Sequence, residues 1–330
     1  KERVLDSHDF SPCFGNGYAA QRNIILYQAM CDQVDYLIFF DDDEYPMAVT
    51  QSRDVALWSG QHVIESHVKY LQFADFTNGY HCGYLSPLPS IEFDAIVDER
   101  IFRQFIEALS SDVLQWDSVI GVMRNGGVTY ADKEILIHQN AELVDEIDHA
   151  KFITGGNLGM NLTDREKVLS FYNPPGARGE DSFLSTCLCQ HTVKRIPTYT
   201  FHDGFSIYET LLNGVLPTNL RNVSFYDSNL IIERFYRACI GWIRYKPLYT
   251  YLTCGQEYRK RMEETHAQLE QAIPRICAFF NNRAFEAILH EMDRFTADVN
   301  CHAEAFERSK MTWEKLKQSI LQHPIPVIER

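Results

Sequence analysis

At 330 residues, 45% of them hydrophobic, the chain is long enough to bury one large core or two modest ones, which excludes disorder as its main character. Its 45 acidic residues against 31 basic ones leave a formal charge of −14. That sign repels nucleic-acid phosphates and anionic membrane surfaces at long range, so no nucleic-acid partner is expected. Nine cysteines, an odd number with no Cys-x-x-Cys spacing, read as reduced thiols of a cytosolic compartment. No apolar run approaches the ~20 residues that span a bilayer, and no signal-peptide pattern opens the chain. A cytoplasmic protein, at most peripheral to a membrane, is therefore expected. The polar start at Lys1, leading at once into a helix that looks internal to a domain, reads as a piece of a longer protein.

In chain order, Gly15-Asn16-Gly17 is a glycine-rich entry to a predicted helix over 18–30, where Ile24, Tyr27 and Cys31 recur at helical spacing. The run Asp35-Tyr36-Leu37-Ile38-Phe39-Phe40 is too short for a helix and rich in β-formers, as expected of a buried parallel strand ending at Asp41. Alternation of Val63, Val68, Tyr70 and Phe73 predicts strands, followed by a long surface loop through the aromatic and glycine-rich 78–84. A helix is predicted over 99–113, then an extended segment over 152–162 and a helix opened by the Thr163-x-x-Glu166 capping box. Pro174-Pro175-Gly176 makes a turn, 181–188 resumes a helical pattern, and 193–201 reads as a strand leading to His202-Asp203-Gly204. The remainder is predominantly helical, with Pro274 predicted to kink or break its helix. The organisation is thus an α/β unit over 1–227 and a helical region over 228–330.

The chemistry centres on Asp41, Asp42 and Asp43. Adjacent carboxylates at the end of a buried strand repel one another and lose water, so something usually compensates them. Ligands of open α/β sheets bind at the carboxyl ends of strands, and hard divalent cations such as Mn²⁺ or Mg²⁺ favour carboxylate oxygen. In an extended Asp-x-Asp the outer side chains share a face, which lets Asp41 and Asp43 address a metal and a diphosphate together. A solvated acidic turn is the plainer alternative; the preceding apolar strand and the following Glu44-Tyr45-Pro46 favour the metal.

Four ordered motifs resemble those of the GT-A glycosyltransferases, especially the family-two group. Gly17-Tyr18-Ala19-Ala20-Gln21-Arg22-Asn23 looks like that family's glycine-to-Ala-Arg-Asn segment, and Phe39-Phe40-Asp41-Asp42-Asp43-Glu44-Tyr45-Pro46 looks like its Asp-x-Asp strand end. Gly155-Gly156-Asn157-Leu158-Gly159-Met160 is similar to its Gly-Gly-Asn-Leu acceptor-side strand, and Gly179-Glu180-Asp181 to its Glu-Asp motif. The resemblance implies a Rossmann-like mixed sheet flanked by helices, with a helical C-terminal extension. It implies transfer of a hexose-type sugar from a UDP- or GDP-linked donor to a carbohydrate or glycoconjugate acceptor, with Mn²⁺ or Mg²⁺ as cofactor. In an inverting member Asp181 is the general base and Glu180 touches the acceptor or donor sugar. A carboxylate is suited to take the acceptor hydroxyl's proton, and a cation to absorb the charge growing on the leaving diphosphate.

Other assignments stay open at this level. His202 follows a strand where several such enzymes place a further metal ligand, though a lone His more often makes a structural hydrogen bond. Arg22 and Arg178 are candidates for donor phosphate, or for local pairing. Gly156 and Asn157 are candidates for substrate binding, as are Tyr80, His81, Tyr84 and Trp116, whose rings could stack on a sugar or pack in the core. The motifs stop near residue 205, and the helical region could shape an acceptor pocket, a homo-oligomer contact or a peripheral membrane face. Family members also carry two β-α units before the metal strand, and only 40 residues precede Asp41. A non-catalytic GT-A-like subunit, and a metal-dependent phosphohydrolase or nucleotidyltransferase, are the alternative readings.

Overall fold

The computed structural model describes residues 8–84, 87–109, 116–204 and 216–322. Behind the 3-10 turn His8–Cys13, helix α1 (Tyr18–Cys31) turns Asn23, Leu26, Tyr27 and Met30 inward. It leads to strand β1 (Tyr36–Phe39), and a β-turn, in which the Glu44 N–H donates to the Asp41 carbonyl at 3.2 Å, brings the chain to β2 (Glu44–Tyr45). A hairpin of β3 (Met47–Ser52) and β4 (Val55–Gly60) forms a separate two-stranded sheet. Helix α2 (Val63–Leu71), strand β5 (Phe76–Tyr84), helix α3 (Glu99–Leu109) and helix α4 (Trp116–Arg124) follow. Short β6 (Val128–Thr129), α5 (Lys133–His138) and β7 (Glu142–Leu143) precede β8 (Leu158–Asn161), α6 (Glu180–Ser185) and β9 (Val193–Asp203).

The main sheet is mixed, in the order β1-β8-β5-β9-β2, with β6 added to β5 and β7 to β9. Its parallel pair is β5 with β9, interrupted by a bulge between Asn78 and Tyr80. β1 is antiparallel to β8 and half-buried, not the buried parallel strand the apolar run suggests. The segment 78–84 is likewise no surface loop: it lies between β8 and β9 with Asn78, Cys82 and Tyr84 fully buried. Val63, Val68 and Tyr70, whose alternation predicts a strand, lie instead in helix α2, where Val63, His67 and Leu71 face inward one helical turn apart. After β8 only one 3-10 turn, Arg165–Lys167, forms, and Asp164 rather than Thr163 caps it.

The C-terminal region is helical throughout its described part: α7 (Asn229–Thr253), α8 (Tyr258–Phe279), α9 (Ala287–Ala297) and α10 (Val299–Gln322). α8 runs through Pro274 without a break. One buried cluster joins Val49, Phe102, Phe105, Phe183 and Phe201 to Phe235, Trp242, Tyr245 and Phe285, so it spans both sides of residue 228. A second joins Leu26, Phe39, Phe76, Leu158 and Phe171 to Trp313 and Leu316 of α10, and the Trp313 indole N–H donates to the Val168 carbonyl at 3.0 Å. Among the described residues no helix is long and apolar enough to cross a membrane. No described strand precedes β1.

Candidate functional site

The side chain of Arg22, only 12% exposed, is the meeting point of segments far apart in sequence. Packed over the Phe39 and Phe171 rings, its guanidinium donates to the Gly155 carbonyl (2.9 Å) and contacts Asp41 (3.1 Å) and Glu180 (3.3 Å). The entry helix, the acidic turn, the double-glycine loop and the Glu-Asp pair are thus brought to one place. The adjacent Asn23 is locked into the core: its amide donates to the carbonyls of Cys13 and Phe171 and accepts from the Phe171 N–H. Arg22 is neither an exposed surface partner nor an unengaged cation awaiting phosphate.

Asp181 lies beside this hub. One carboxylate oxygen accepts the Ser182 N–H at 2.9 Å, the other the Gly155 N–H at 3.0 Å. Burial first, and then the neighbouring Glu180 charge, raise its pKa to about 7, against the lowering pull of these hydrogen bonds and Arg22. The double glycine is required by close approach: a Cβ on Gly155 would lie 2.9 Å from the Arg22 guanidinium, and one on Gly156 only 2.6 Å from the Glu44 carboxylate. Asn157 is wholly buried, its side chain bonded to His67 and to the Tyr80 carbonyl. Asn157 and Gly156 therefore shape the loop from beneath rather than offer side chains to a substrate.

The acidic triplet is arranged as a turn, not as an extended strand end. Asp41 faces Arg22, exposed Asp42 points elsewhere, and Asp43 faces His202 at 3.2 Å and Arg234 of α7 at 3.9 Å. Asp41 and Asp43 thus engage different cations, and among the described residues no three His, Cys, Asp or Glu side chains gather closely enough to enclose a metal ion. Part of the compensation that three carboxylates demand comes from Arg22, His202 and Arg234. Burial and the Glu44 charge still raise the Asp41 pKa, outweighing Arg22 and His202.

His202 nonetheless has the form of a ligand. Its Nδ1 lies 2.8 Å from the Tyr84 carbonyl, an acceptor, so Nδ1 carries the hydrogen. In neutral imidazole that leaves the Nε2 lone pair facing the Asp43 carboxylate, an arrangement that a second proton or a cation between the two would satisfy. Mg²⁺-like ions are commonly held by one or two carboxylates together with substrate phosphates, so Asp43 and His202, with donor oxygens, fit such an ion.

Three aromatic candidates leave the site. Tyr84 is fully buried, with its hydroxyl donating to the Arg221 carbonyl, and Trp116 is packed against Phe102 in the core. Tyr80 stacks on Tyr199 at 5.2 Å. Alternation along β5 explains the split: Tyr80, Cys82 and Tyr84 face away from His81, which alone of the four reaches the site through Glu44. Arg178 is exposed beside α7, its backbone N–H bonded to the Gly241 carbonyl. It has moved to the helix interface rather than to the acidic turn.

Two site residues escaped the sequence reading. Arg234 lies 191 positions beyond Asp43 (234 − 43), in a helix with no motif of its own. Asp203, 1% exposed at the end of β9, finds no hydrogen-bond partner among the described residues for either carboxyl oxygen, and burial together with the Asp43 charge raises its pKa to about 6. Folding favours its neutral form, so this stability is present below the ordinary carboxylate range and is lost as pH rises through about 6. Asp203→Asn in chelator-treated protein should therefore raise the unfolding free energy at pH 8 by on the order of 1–2 kcal/mol, read as a higher melting temperature, and not at pH 4. An equal change at both values would show that the carboxylate is already compensated.

No protein-family model, curated protein or solved structure matches the chain.

Proposed function

We propose that the chain is a metal-dependent GT-A-type glycosyltransferase, inverting, which moves a sugar from a nucleoside-diphosphate donor to an acceptor hydroxyl. The observation that carries this reading is the Arg22 hub, which unites Asp41, the Gly155 backbone and Glu180. Asp181 sits at that hub with a pKa near neutrality, where a general base is most effective. It would accept the acceptor hydroxyl's proton as the oxygen attacks the anomeric carbon, while Glu180 orients the sugar. Asp43 and His202 would hold a Mn²⁺ or Mg²⁺ ion, which when bound offsets charge on the departing diphosphate. Arg234 reaches the same side and supplies a fixed positive charge for that leaving group.

The test is nucleoside-diphosphate release from UDP-glucose, UDP-galactose, UDP-N-acetylglucosamine and GDP-mannose with Mn²⁺ and a mixed panel of sugar acceptors. Acceptor-dependent release with an inverted anomeric centre supports the reading. Release of inorganic phosphate alone would indicate a phosphohydrolase, and binding without turnover a non-catalytic subunit. Arg234→Ala should weaken Mn²⁺-UDP binding about tenfold, a loss of ~1.4 kcal/mol in calorimetry. Unchanged affinity would leave Arg234 as a packing residue of α7.

A further inference from the structure

Glu44 is a carboxylate with no exposed side-chain surface, next to the acidic turn. Such burial is costly unless every lone pair is answered, and here each is. One oxygen accepts the Asp41 N–H (2.9 Å) and the Asn157 N–H (3.2 Å); the other accepts the Thr200 hydroxyl (3.1 Å) and faces His81 Nδ1 (2.8 Å). Burial pushes its pKa up, but the His81 and Asp41 hydrogen bonds outweigh that and hold it below the usual value. The other ring nitrogen of His81 lies 3.0 Å from the Thr154 hydroxyl, which is 3.1 Å from the Gly156 carbonyl. Glu44 and His81 thus form a continuous bridge from the backbone of Asp41 to both ends of the loop Thr154–Gly155–Gly156–Asn157.

The same two segments are also joined by the β1–β8 pairing, where Phe39 lies opposite Leu158, and by Arg22. Arg22 ties the Asp41 and Glu180 carboxylates to the Gly155 carbonyl; Glu44 ties two main-chain N–H groups, those of Asp41 and Asn157, to one carboxylate oxygen. Gly155 donates to Asp181, so the loop that Glu44 and His81 hold is the loop that orients the base.

We propose that Glu44 and His81 are positioning residues that set the separation between the donor-binding turn at Asp41 and the base, Asp181. This role rests on the transferase reading above. Neither residue touches the reacting atoms. Their contribution is geometric, and misplacement of reacting groups by about 1 Å can cost on the order of a hundredfold in rate.

Glu44→Gln keeps the shape but puts an amide N–H where donors already point. With the donor that the panel identifies, it should lower kcat by about 30- to 100-fold while the donor KM stays within about twofold. His81→Ala should behave alike, and His81→Asn, whose amide nitrogen takes the place of Nδ1 and restores the Glu44 contact, should recover about tenfold of the loss. Amide exchange reports the bridge without turnover: in Glu44→Gln, exchange at 41–43 and 154–157 should rise by about tenfold or more while α2 stays protected. Unchanged kcat in a folded Glu44→Gln, or parent-like exchange in both segments, overturns the proposal. Should Glu44→Gln fail to fold, the His81 pair decides, and equal losses in His81→Ala and His81→Asn count against the bridge. A parent that turns over no donor refutes the transferase reading instead, and exchange alone then judges the bridge.

Discussion

Asp181→Asn is expected to lower kcat by about a thousandfold or more, within the range that a positioned general base supplies. The amide cannot take a proton, yet it keeps the volume and one of the two acceptors that hold Gly155 and Ser182. Because the base must be ionised to act, parent activity should rise with pH through about 7 and level off above it, and the residual activity of the variant should lack that limb. Stability runs the other way. Burial favours the neutral carboxyl, so the folded state loses stability as pH rises through about 7, and the variant should not melt far below the parent at pH 8.5. Rate measurements across pH, paired with thermal melts, separate the two effects. Retained turnover in a well-folded Asp181→Asn removes Asp181 from the base role.

Asp43→Asn should abolish most of the stabilisation that Mn²⁺ with a nucleoside diphosphate confers. A ligand at a hundred times its dissociation constant stabilises the folded state by about 2.7 kcal/mol, enough to move a melting temperature visibly. Without metal the variant should lie close to the parent, because Asp43 is partly solvated and its pairs with His202 and Arg234 are worth roughly 0–1 kcal/mol. The comparison requires melts of parent and variant with chelator, with Mn²⁺ alone, and with Mn²⁺ and UDP. An undiminished shift in Asp43→Asn would mean that Asp43 serves only His202 and Arg234, and the metal would have to be sought elsewhere.

Local signals in the sequence were read correctly where the cause was local. The glycine entry and periodic face of α1, the apolar run of β1 and the helical character beyond 228 depend on spacing within a dozen residues, and each is present. What depended on neighbours was not legible. The 78–84 segment looks like a loop by its glycines, yet Gly79 and Gly83 are small because β8 and β9 press on either side, at Asn157 and His202. The face-sharing of Asp41 and Asp43 presumed an extended backbone, and a single turn hydrogen bond from Glu44 redirects both. The four motifs stood out by their order and resemblance, and nothing in that order placed them together in space. The agent of their convergence, Arg22, and the buried acceptor beneath it, Glu44, become visible only when the chain is closed upon itself.

The aromatic cluster around Phe235 bears on how the molecule unfolds. Phe235 of α7 stacks on Phe102 of α3 and lies within 6.3 Å of Phe105, Phe225, Phe280 and Phe285, so five stretches of chain share one set of rings. The residue just before it on the same helix, Arg234, reaches Asp43. Melting the last four helices would therefore strip the acidic turn of a charge partner and open the floor beneath α3 in the same event. Cooperativity of this kind would tie the proposed donor site to global stability: a substitution deep among those rings, far from any polar group, would lower any ligand binding at the acidic turn as soon as the folded population falls.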